Sequence, residues 1–464
     1  MTDVLEAIRA ALPDATAWVV GGAVRDELLG RPVADVDLAI AGDAKPVARA
    51  LAAAIGGPSF ALSDAFGAWR VLSPQRDWQV DLTPLQGADL HADLARRDFT
   101  INAMARPLAG GAPVDPHGGR ADLAARRLRM VAPQSFDDDP LRVLRLARFA
   151  AELDLEPDAD TVREAAVRAA RLPAVSAERV FAELKRIVAA DRVLDGLALM
   201  DRLGATEHVL PELHGLRGVE QNRYHHLDVY DHTLEVLRET LALERDPGPA
   251  LGAELADPLR TYLARPLADE ITRATALRFG ALLHDIAKPE TQAHHEDGSV
   301  LGFPGHADLG AEQSRAILAR LRASEKLRAH VAALARHHLR LGYLVHEAPL
   351  DRRAIHRYLV ATEPVEVDVS LLSVADRLAT RGRKADDAIA KHLEVARAVL
   401  PGALEFEAVR AQPPLVRGDA LAAALGIRPG PVLGELMAQL AEARYAGEIT
   451  TADEAVALAR TLRA

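Results

Sequence analysis

Asp35 and Asp37 have the residue type and the spacing to bind divalent cations together. Asp35-Val36-Asp37 lies at the start of a strand candidate whose predicted apolar run is 36–40, and alternation puts positions i and i+2 on one face of a strand, about 6–7 Å apart. A pair of metal ions held there can activate an attacking oxygen and neutralise a leaving phosphate. Asp81, on a later predicted strand over 78–82, can supply a third carboxylate. These three aspartates are the predicted catalytic residues.

A bare D-x-D pair is more often two solvent-facing turn residues, so the surrounding sequence decides its interpretation. Gly21 and Gly22 come before the pair and predict a turn whose backbone N–H groups can approach a phosphate. Arg25 follows at the start of a predicted helix over 23–29. A helix N-terminus and an arginine together suit a triphosphate. The pattern predicts a nucleotide site beside a metal site.

Strand and helix patterns alternate over the first 115 residues and predict a small mixed sheet covered by helices. The predicted strands are 17–20, 36–40, 69–72 and 78–82, and the predicted helices are 23–29 and 45–54. From residue 135 onward almost every periodic segment is helical. The segment 244–272, rich in Pro, Asp and Glu, indicates a linker or a mobile insertion. Pro401-Gly402 and Pro413-Pro414 bracket a predicted boundary before a last helical module.

The composition is typical of a globular chain. Its 464 residues suit about two to four domains. The absence of cysteine excludes thiolate ligands, so any metal must be held by His, Asp or Glu. The N-terminus lacks a secretory pattern and no segment approaches a membrane span, so we expect a cytoplasmic protein with no membrane partner. The net charge of −11 argues only weakly against a nucleic-acid partner, because binding depends on local fields and arginines cluster over 120–148.

Three segments resemble motifs of the class II tRNA nucleotidyltransferases and their bacterial poly(A) polymerase relatives. Residues 19–40, VVGGAVRDELLGRPVADVDLAI, are similar to the opening motif, and 96–103, RRDFTINA, are similar to the second motif. Residues 138–142, DDPLR, resemble the base-selecting motif, usually written E-D-x-x-R, with Asp138 where Glu is common. The resemblance implies a polymerase-β-like head that binds Mg²⁺, then a helical neck and body. The implied nucleotide-binding residues are Gly22, Arg25, Arg97, Asp98, Asp139, Arg142, Arg145 and Arg148.

The base-selecting motif also has a physical logic. Asp139 and Arg142 lie three positions apart and are predicted to face the same way on one helix. An aspartate acceptor beside an arginine donor can pair with the edge of a cytosine or adenine, so that side chains replace a nucleic-acid template. Arg145 and Arg148 continue the same predicted face, where they can meet phosphates. The alternative is a surface ion pair, which stabilises a helix only weakly.

A second group of residues carries the H…HD…D spacing of the HD phosphohydrolases. The resemblance implies a metal site in a helical bundle, with His306 and the pair His337-His338 supplying the further ligands of a two-metal version. Neutral imidazoles and carboxylates suit Ni, Mn, Fe or Zn. The implied chemistry is hydrolysis of phosphomonoesters or 2′,3′-cyclic phosphates. The predicted ligands are His232, His284, Asp285, His306, His338 and Asp376, while His225, His226, His294 and His295 stay unassigned.

We expect an α+β chain with a polymerase-β-like mixed-sheet head, followed by a mostly α-helical body with an HD-type domain. The predicted domains are a catalytic nucleotidyltransferase head over 1–115, a helical neck with the base-selecting motif over 116–215, an HD phosphohydrolase domain over 216–400 and a helical tail over 401–464. The tail resembles that of HD-bearing members of the family and shows no catalytic set. The sequence does not fix the oligomeric state.

The leading hypothesis is a tRNA 3′-end nucleotidyltransferase that adds C, C and A from CTP and ATP without a nucleic-acid template. Its HD domain would act as a phosphatase or 2′,3′-cyclic phosphodiesterase. Only 14 residues separate Asp81 from Arg96, where many CCA-adding members carry a longer loop, and a short loop is typical of members that add only CC. A third hypothesis makes the HD domain the main enzyme and the head a nucleotide- or tRNA-binding module.

Overall fold

The computed structural model describes residues 2–13, 15–33, 35–64, 66–222, 225–382 and 385–463. The chain divides into two compact units, 1–209 and 210–464. The first unit contains a small mixed sheet and helices, and the second is almost entirely helical. This architecture confirms the predicted α+β class.

A six-stranded sheet forms the head, with the strand order β3-β4-β5-β2-β1-β6. Its strands are β1 (Ala17–Val20), β2 (Asp35–Ile40), β3 (Ser59–Ser63), β4 (Ala68–Leu72), β5 (Gln79–Pro84) and β6 (Ala105–Pro107). β2 and β5 are parallel, and the other neighbouring pairs are antiparallel. The four predicted strands are found as β1, β2, β4 and β5, and β3 and β6 add the two edges.

Alternating side chains give this sheet one apolar face and a second face that carries the carboxylates. Asp35 and Asp37 are exposed on β2 and alternate with buried residues. Asp81 lies between buried neighbours on β5. The apolar face is formed by Val36, Leu38, Ile40, Val71, Val80 and Leu82. The three carboxylates therefore share the opposite, open face.

The helices of the first unit surround the sheet and continue beyond it. They are α1 (Thr2–Ala11), α2 (Gly22–Leu28), α3 (Ala44–Ile55), α4 (Leu90–Ala95), α5 (Gly119–Ala124), α6 (Gln134–Asp138), α7 (Arg142–Leu153), α8 (Ala159–Arg168), α9 (Ala177–Ala189), α10 (Val193–Arg202) and α11 (Ala205–Val209), and the short strands β7 (Arg127–Leu128) and β8 (Glu156–Pro157) pair with each other. α3 covers the apolar face, because its buried Ala44, Ala48 and Leu51 recur at helical spacing. On the carboxylate face, Leu90 and Leu94 of α4 pack on Val20, Ala39 and Ala105, and the part of the face beside the aspartates borders a cavity.

The second unit is built on a helical bundle. Its elements are α12 (Pro211–His214), α13 (Val229–Arg245), α14 (Gly248–Leu251), α15 (Ala253–Leu263), β9 (Pro266–Ala268), β10 (Ile271–Thr272), α16 (Arg273–Leu283), α17 (Lys288–Thr291), β11 (Ala293–His294), β12 (Val300–Gly302), α18 (His306–Arg320), α19 (Glu325–His337), α20 (Arg340–Leu344), α21 (Arg352–Thr362), α22 (Glu366–Ala379), α23 (Ala385–Arg410), α24 (Gly418–Leu425), α25 (Pro431–Ala446) and α26 (Ala452–Arg463). Pairwise contacts link α13, α16, α18, α19, α22 and α23. In the described ranges of the chain, none of the helices combines the length and the apolar character needed to cross a bilayer.

The segment 244–272 is folded, so the prediction of a linker or mobile insertion there is wrong. It contains the end of α13, the helices α14 and α15, and the hairpin of β9 and β10. Leu255, Leu259 and Leu263 are buried at four-residue spacing along α15, and α15 contacts α13, α16 and α23. This apolar stripe outweighs the Pro, Asp and Glu content.

The predicted boundary at Pro401-Gly402 also lies inside a helix, because α23 continues from Ala385 to Arg410. Leu400 and Phe406 are buried on either side of the proline. Packing on both sides keeps the helix continuous despite the hydrogen bond that a proline removes. The helix ends only before the second predicted break, at Pro413-Pro414.

Candidate active sites

The open face of the head sheet borders a cavity of about 480 Å³. Asp35 and Asp37 lie in it, together with the glycine turn that joins β1 to α2. The lining includes Gly21, Gly22, Arg25, Asp35, Asp37, Arg97, Asp98, Asn102, Asp139, Arg142, Arg145 and Arg148. All of the predicted nucleotide-binding residues therefore line one cavity with the two strand aspartates.

Gly21 is the position in this turn that requires glycine. Its φ of 69° lies in the left-handed region, and an added Cβ would stand 2.9 Å from Nη1 of Arg97. Arg97 is held on its other side by Asp93, whose Oδ2 accepts from Nη2 at 3.2 Å. The bare backbone of the turn and the Arg97 guanidinium can therefore contact one anion together.

Arg25 is buried, and its guanidinium is occupied by protein partners. Nε and Nη2 donate to the carboxylate of Asp26 at 2.8 and 2.9 Å, and Nη1 donates to Oδ1 of Asn102 at 2.7 Å. The side chain keeps its positive charge at the cavity wall and ties α2 to the second motif.

The Asp35–Asp37 pair suits a divalent cation. The pKa of Asp37 is raised above its usual value, chiefly because the protein around the cavity displaces water from this carboxylate, although the residue keeps access to solvent. The charges of Asp81 and Asp35 add to the rise, and Arg97 opposes it. Crowded carboxylate oxygens of this kind are the donors that a hard cation such as Mg²⁺ prefers, and a bound cation would remove their repulsion.

Asp81 lies beside Asp37 in the sheet but has a partner that the sequence alone does not reveal. The parallel register pairs Asp37 with Asp81, and Arg70 on β4 donates to both oxygens of Asp81 at 2.7 Å. Asp81 is therefore next to the cavity, with its carboxylate held by an arginine. The signal for this pair is the register of β4 against β5, which puts Arg70 opposite Asp81.

Asp98 connects the second motif to α7. Its Oδ1 accepts from the backbone N–H of Phe99 at 2.8 Å and from Nδ2 of Asn102 at 3.0 Å, while its Oδ2 accepts from Nε of Arg145 at 2.8 Å. Burial would raise the pKa of Asp98, but the charge of Arg145 and these hydrogen bonds hold it well below its usual range. Asp98 is therefore ionised at neutral pH and fixes Arg145 at the cavity wall.

Asp139 and Arg142 do not share a helix, so the predicted common helix face is wrong. Asp139 is extended between α6 and α7, with φ −150° and ψ 103°, because the residue before a proline avoids the helical region. Arg142 is the first residue of α7. Both side chains nevertheless line the cavity. Asp139 accepts from Nη2 of Arg179 at 2.6 Å, and Arg142 donates to the backbone carbonyl of Arg96 at 2.8 Å.

Arg145 and Arg148 meet a buried carboxylate that the sequence analysis missed. Glu183 on α9 lies 2.9 Å from Nη1 of Arg148 and 3.8 Å from Nη1 of Arg145. Arg148 is 5% exposed, and its guanidinium carbon lies 4.1 Å from the centre of the Phe149 ring. Burial lowers the pKa of Arg148 to about 10, partly offset by Glu183. Arg148 thus ties α7 to α9, and its predicted phosphate contact would compete with this pairing.

The six predicted HD ligands come together in the second unit as two sets of three. One set is His232, His284 and Asp376, the other is Asp285, His306 and His338, and the ligand atoms within each set lie within 4.8 Å of one another. Asp285 lies between the sets, because its Oδ2 is 3.1 Å from Nε2 of His284 and its Oδ1 is 3.4 Å from Nε2 of His306. Two adjacent sets of this kind suit two cations.

Backbone carbonyls fix the orientation of three of these imidazoles. Nδ1 of His284 donates to the carbonyl oxygen of Ala281 at 2.9 Å. Nδ1 of His306 donates to that of Phe303 at 2.7 Å, and Nδ1 of His338 donates to that of Ala335 at 2.6 Å. A carbonyl oxygen only accepts, so Nδ1 carries the proton and Nε2 offers its lone pair to the cluster. In each case the carbonyl belongs to the residue three positions before the histidine.

Charge in the cluster also favours cations. Burial opposes a charged ring at His284, but the carboxylates of Asp285 and Asp376 outweigh it and raise its pKa. Burial lowers the pKa of His338 to about 4, so this ring is neutral at neutral pH, as a metal ligand must be. Oδ1 of Asp285 is buried and accepts no hydrogen bond from the described residues. The donor set fits divalent metals that accept both nitrogen and oxygen ligands.

A cavity of about 580 Å³ opens onto these ligands. Lys288 lies in its wall with Nζ 2.6 Å from Oδ2 of Asp285. His225 lines it too, with its ring 5.2 Å from that of His232, although the sequence analysis left it unassigned. His337 instead accepts a hydrogen bond from Nε of Arg340 at 2.9 Å, so the second set uses only His338 of the predicted pair.

Three family models match the chain in succession. The poly(A) polymerase head domain matches residues 17–129, the probable RNA and SrmB-binding site of polymerase A matches 154–216, and the HD domain matches 229–381. The head match contains both strand aspartates, and the HD match contains all six predicted HD ligands.

Relatives match over nearly the whole chain. An A-adding tRNA nucleotidyltransferase from Deinococcus radiodurans is 38% identical over 444 residues, covering 95% of this chain and 94% of the relative. A CC-adding tRNA nucleotidyltransferase from Thermus thermophilus is 36% identical over 449 residues, covering 95% and 92%. A solved CCA-adding enzyme from Thermotoga maritima, complexed with tRNA-CCA, has a TM-score of 0.63 at 18% identity and covers 99% of this chain and 94% of its own.

The chain therefore belongs to the tRNA nucleotidyltransferase family and carries a poly(A) polymerase head domain and an HD domain. This confirms the family and the class of enzyme predicted from the sequence motifs. The roles of the individual site residues stay predictions.

Proposed function

We propose that this chain adds C, C and A to the 3′ end of tRNA from CTP and ATP without a nucleic-acid template. The observation that carries the proposal is a single cavity that holds the carboxylate pair Asp35 and Asp37 together with Asp139 and Arg142. The first pair suits metal-assisted nucleotidyl transfer, and the second can read the edge of a base.

The proposed base selection follows from hydrogen-bond chemistry. Cytosine and adenine each present an amino donor beside a ring-nitrogen acceptor. Asp139 can accept from the amino group, and Arg142 can donate to the ring nitrogen. Guanine and uracil present a carbonyl and a ring N–H in the corresponding positions, so the same two side chains reject them. A buried polar mismatch of this kind discriminates strongly between bases.

The phosphates and the metal have separate sets of residues in this proposal. The backbone of Gly21-Gly22 and the guanidinium of Arg97 bind the triphosphate, because both line the cavity. Asp35 and Asp37 would hold Mg²⁺, which supplies charge neutralisation at the phosphates when bound.

The proposed reaction is a displacement at phosphorus. The 3′-hydroxyl oxygen of the tRNA forms a bond to the α-phosphorus of CTP or ATP, and the bond from that phosphorus to the α–β bridging oxygen breaks. Pyrophosphate leaves, and the hydroxyl proton passes to solvent. Positioning and electrostatics supply most of the rate enhancement.

Incorporation of labelled CTP and ATP into tRNA that lacks its CCA end tests this proposal. The Asp35→Ala and Asp37→Ala variants are expected to lose incorporation, and Asp191→Ala, which removes an exposed carboxylate of the same unit, is the matched control. Undiminished incorporation in both strand variants would refute the assignment.

A second candidate, addition of only part of the CCA end, is favoured by one observation. β5 ends at Pro84 and α4 begins at Leu90, which leaves only residues 85–89 where many CCA-adding members carry a longer loop. Two tRNA substrates separate the candidates when CTP and ATP are supplied together, one ending at the discriminator base and one ending in CC. A CCA-adding enzyme completes both, a CC-adding enzyme adds two residues to the first only, and an A-adding enzyme extends the second only.

For the second unit, we propose hydrolysis of phosphomonoesters or 2′,3′-cyclic phosphates. The residues His232, His284, Asp285, His306, His338 and Asp376 would hold two divalent metal ions drawn from Ni, Mn, Fe and Zn. Such ions activate water and neutralise phosphate charge when bound. Lys288 and His225 face the same cavity and can contact the phosphate.

Hydrolysis of p-nitrophenyl phosphate and of 2′,3′-cyclic AMP tests the HD proposal. Each metal is returned singly to chelator-treated protein. The His284→Ala variant is expected to lose activity with every metal, and His294→Ala, an exposed histidine of the same unit, is expected to keep it. Hydrolysis by the wild type with no nucleotide transfer would instead favour a head that only binds nucleotide or tRNA.

A further inference from the structure

The open face of the head sheet continues beyond Asp37 as one transverse row of side chains. Paired positions in neighbouring strands point to the same face. The register joins Asp37 to Asp81, Asp81 to Arg70, and Arg70 to Phe60. This row crosses β2, β5 and β4 and reaches β3 at the edge of the sheet. It therefore leads from the predicted metal ligands to the rim of the head.

The nucleotide cavity lies on one side of Asp37 only. Its lining comes from the glycine turn, the second motif and the neck helices, and within the described residues it takes no side chain from β3, β4 or β5. In phosphoryl transfer the attacking and leaving oxygens are roughly in line across the phosphorus. With the pyrophosphate held near Gly21 and Arg97, the acceptor hydroxyl has to arrive from the opposite side, where Asp81 and Arg70 lie.

Arg70 has the chemistry to bind an RNA backbone there. Nε and Nη2 donate to Asp81, and Nη1 donates no hydrogen bond within the described part of the chain. The hydrogen bond and charge of Asp81, with the charges of Asp35 and Asp37, raise its pKa, so the guanidinium is always charged. Its side chain is 28% exposed and can reach a ligand on the open face. A planar guanidinium with a free nitrogen suits a phosphate oxygen.

Phe60 adds a platform for a base at the end of the row. The hairpin of β3 and β4 exposes three large apolar side chains, Phe60 at 44%, Leu62 at 45% and Phe66 at 58%. Exposed apolar residues gathered on one element mark an interaction surface. Single-stranded RNA is held by this combination of a cationic groove and an exposed aromatic ring on which a base stacks.

We propose that the row Asp81–Arg70–Phe60 is the subsite for the single-stranded 3′ end of the acceptor RNA. Arg70 contacts a backbone phosphate, and Phe60 stacks on a base near the 3′ end. The subsite rests on the nucleotidyl transfer proposed above and adds the side from which the acceptor enters and the side chains that hold it.

Steady-state kinetics on the full chain test the subsite. The Phe60→Ala and Arg70→Ala variants are expected to raise the KM for tRNA about tenfold, as for loss of one stacked base or one phosphate contact. The KM for CTP is expected to stay within about twofold of wild type, because the nucleotide cavity is unchanged. Arg76→Ala on the β4–β5 turn and Val167→Ala on α8 remove an exposed arginine and an exposed apolar side chain elsewhere on the unit, and neither KM should change.

A double variant separates RNA binding by Arg70 from mere charge compensation of Asp81. Arg70→Gln with Asp81→Asn removes both charges and leaves a polar side chain at each position. If Arg70 binds phosphate, the equilibrium Kd for tRNA stays raised in the double variant, and the salt dependence of tRNA binding falls by about one counterion. Recovery of the wild-type Kd for tRNA in the double variant would show that Arg70 only neutralises Asp81 and would overturn the proposal.

The remaining outcomes distinguish the subsite from the function on which it rests. Wild-type protein that adds no nucleotide refutes the proposed transferase activity itself. Active wild type with variants that raise the KM for CTP instead of tRNA refutes only the subsite. A change in oligomeric state of Phe60→Ala by sedimentation, with the KM for tRNA unaltered, would identify the hairpin as a protein interface and likewise overturn the proposal.

Discussion

Removal of Glu183 should destabilise the first unit more than most single substitutions. Glu183 and Arg148 pair at 2.9 Å with side chains only 7% and 6% exposed. A Glu183→Ala variant leaves Arg148 buried without its main partner, and breaking a buried ion pair from one side costs about 3–5 kcal/mol. Glu152, whose Oε2 lies 3.6 Å from Nε of Arg148, compensates in part. We therefore expect a loss near the lower end, about 3 kcal/mol.

The tryptophans allow this loss to be measured in the first unit alone. All three, Trp18, Trp69 and Trp78, belong to the head sheet or its turns. Urea unfolding followed by tryptophan fluorescence therefore reports the first unit, while the proposed phosphate hydrolysis would report the second. With a slope of about 2–3 kcal/mol per molar urea, a loss of about 3 kcal/mol lowers the midpoint by about 1–1.5 M. Glu6→Ala on the exposed side of α1 is the control.

A double substitution checks the cause. Glu183→Leu with Arg148→Met replaces both charges by apolar groups of similar size, and stability should recover to near wild type. The reasoning is refuted if Glu183→Ala lowers the midpoint no more than Glu6→Ala does, or if the double variant is less stable than the single one.

Three further outcomes follow from the two sites. Gly21→Ala should reduce nucleotide transfer at least about tenfold, because its Cβ meets Arg97, whereas Gly30→Ala, at a similar φ of 67° but with open space around it, should cost only about 1 kcal/mol of stability. Chelation should abolish phosphate hydrolysis and leave the tryptophan-reported midpoint unchanged. Burial opposes ionisation of Asp122, but hydrogen bonds from Thr100 and neighbouring arginines lower its pKa. Its contribution is complete above the unfolded pKa of about 4 and is lost as pH falls through the lower folded pKa, so Asp122→Asn should flatten the acid dependence of the midpoint below about pH 4.

The parts of the sites that could be predicted are those in which the repeat of a strand or the position of a turn determines where a side chain or the backbone points. Alternation along β2 puts Asp35 and Asp37 on the same face, and the Gly21-Gly22 turn follows from the end of an apolar run. The six predicted HD residues, which lie together in the structure, are recognisable because a metal site would need particular residue types, however long the connecting helices are. In both cases the residue types themselves carry the information.

The parts that could not be predicted depend on tertiary register. Arg70 meets Asp81 only because β4 pairs with β5 in one register, and Glu183 meets Arg148 only because α9 packs against α7. The prediction from helical spacing that Asp139 shares a helix with Arg142 is also wrong, because the following proline keeps Asp139 out of α7. In 244–272 the buried leucines of α15 outweigh the high content of Pro, Asp and Glu, and the segment is therefore folded although its composition resembles that of a linker.

The carbonyl anchors of His284, His306 and His338 bear on how the HD site can change over evolution. A metal-binding histidine whose ring is oriented by a second side chain loses that orientation when the second side chain is mutated. Here the atom that aims each ring belongs to the main chain, and every residue type supplies it. Replacement of Ala281, Phe303 or Ala335 therefore leaves the aiming atom in place, so these neighbouring positions can vary and reshape the cavity while the three rings keep their orientation.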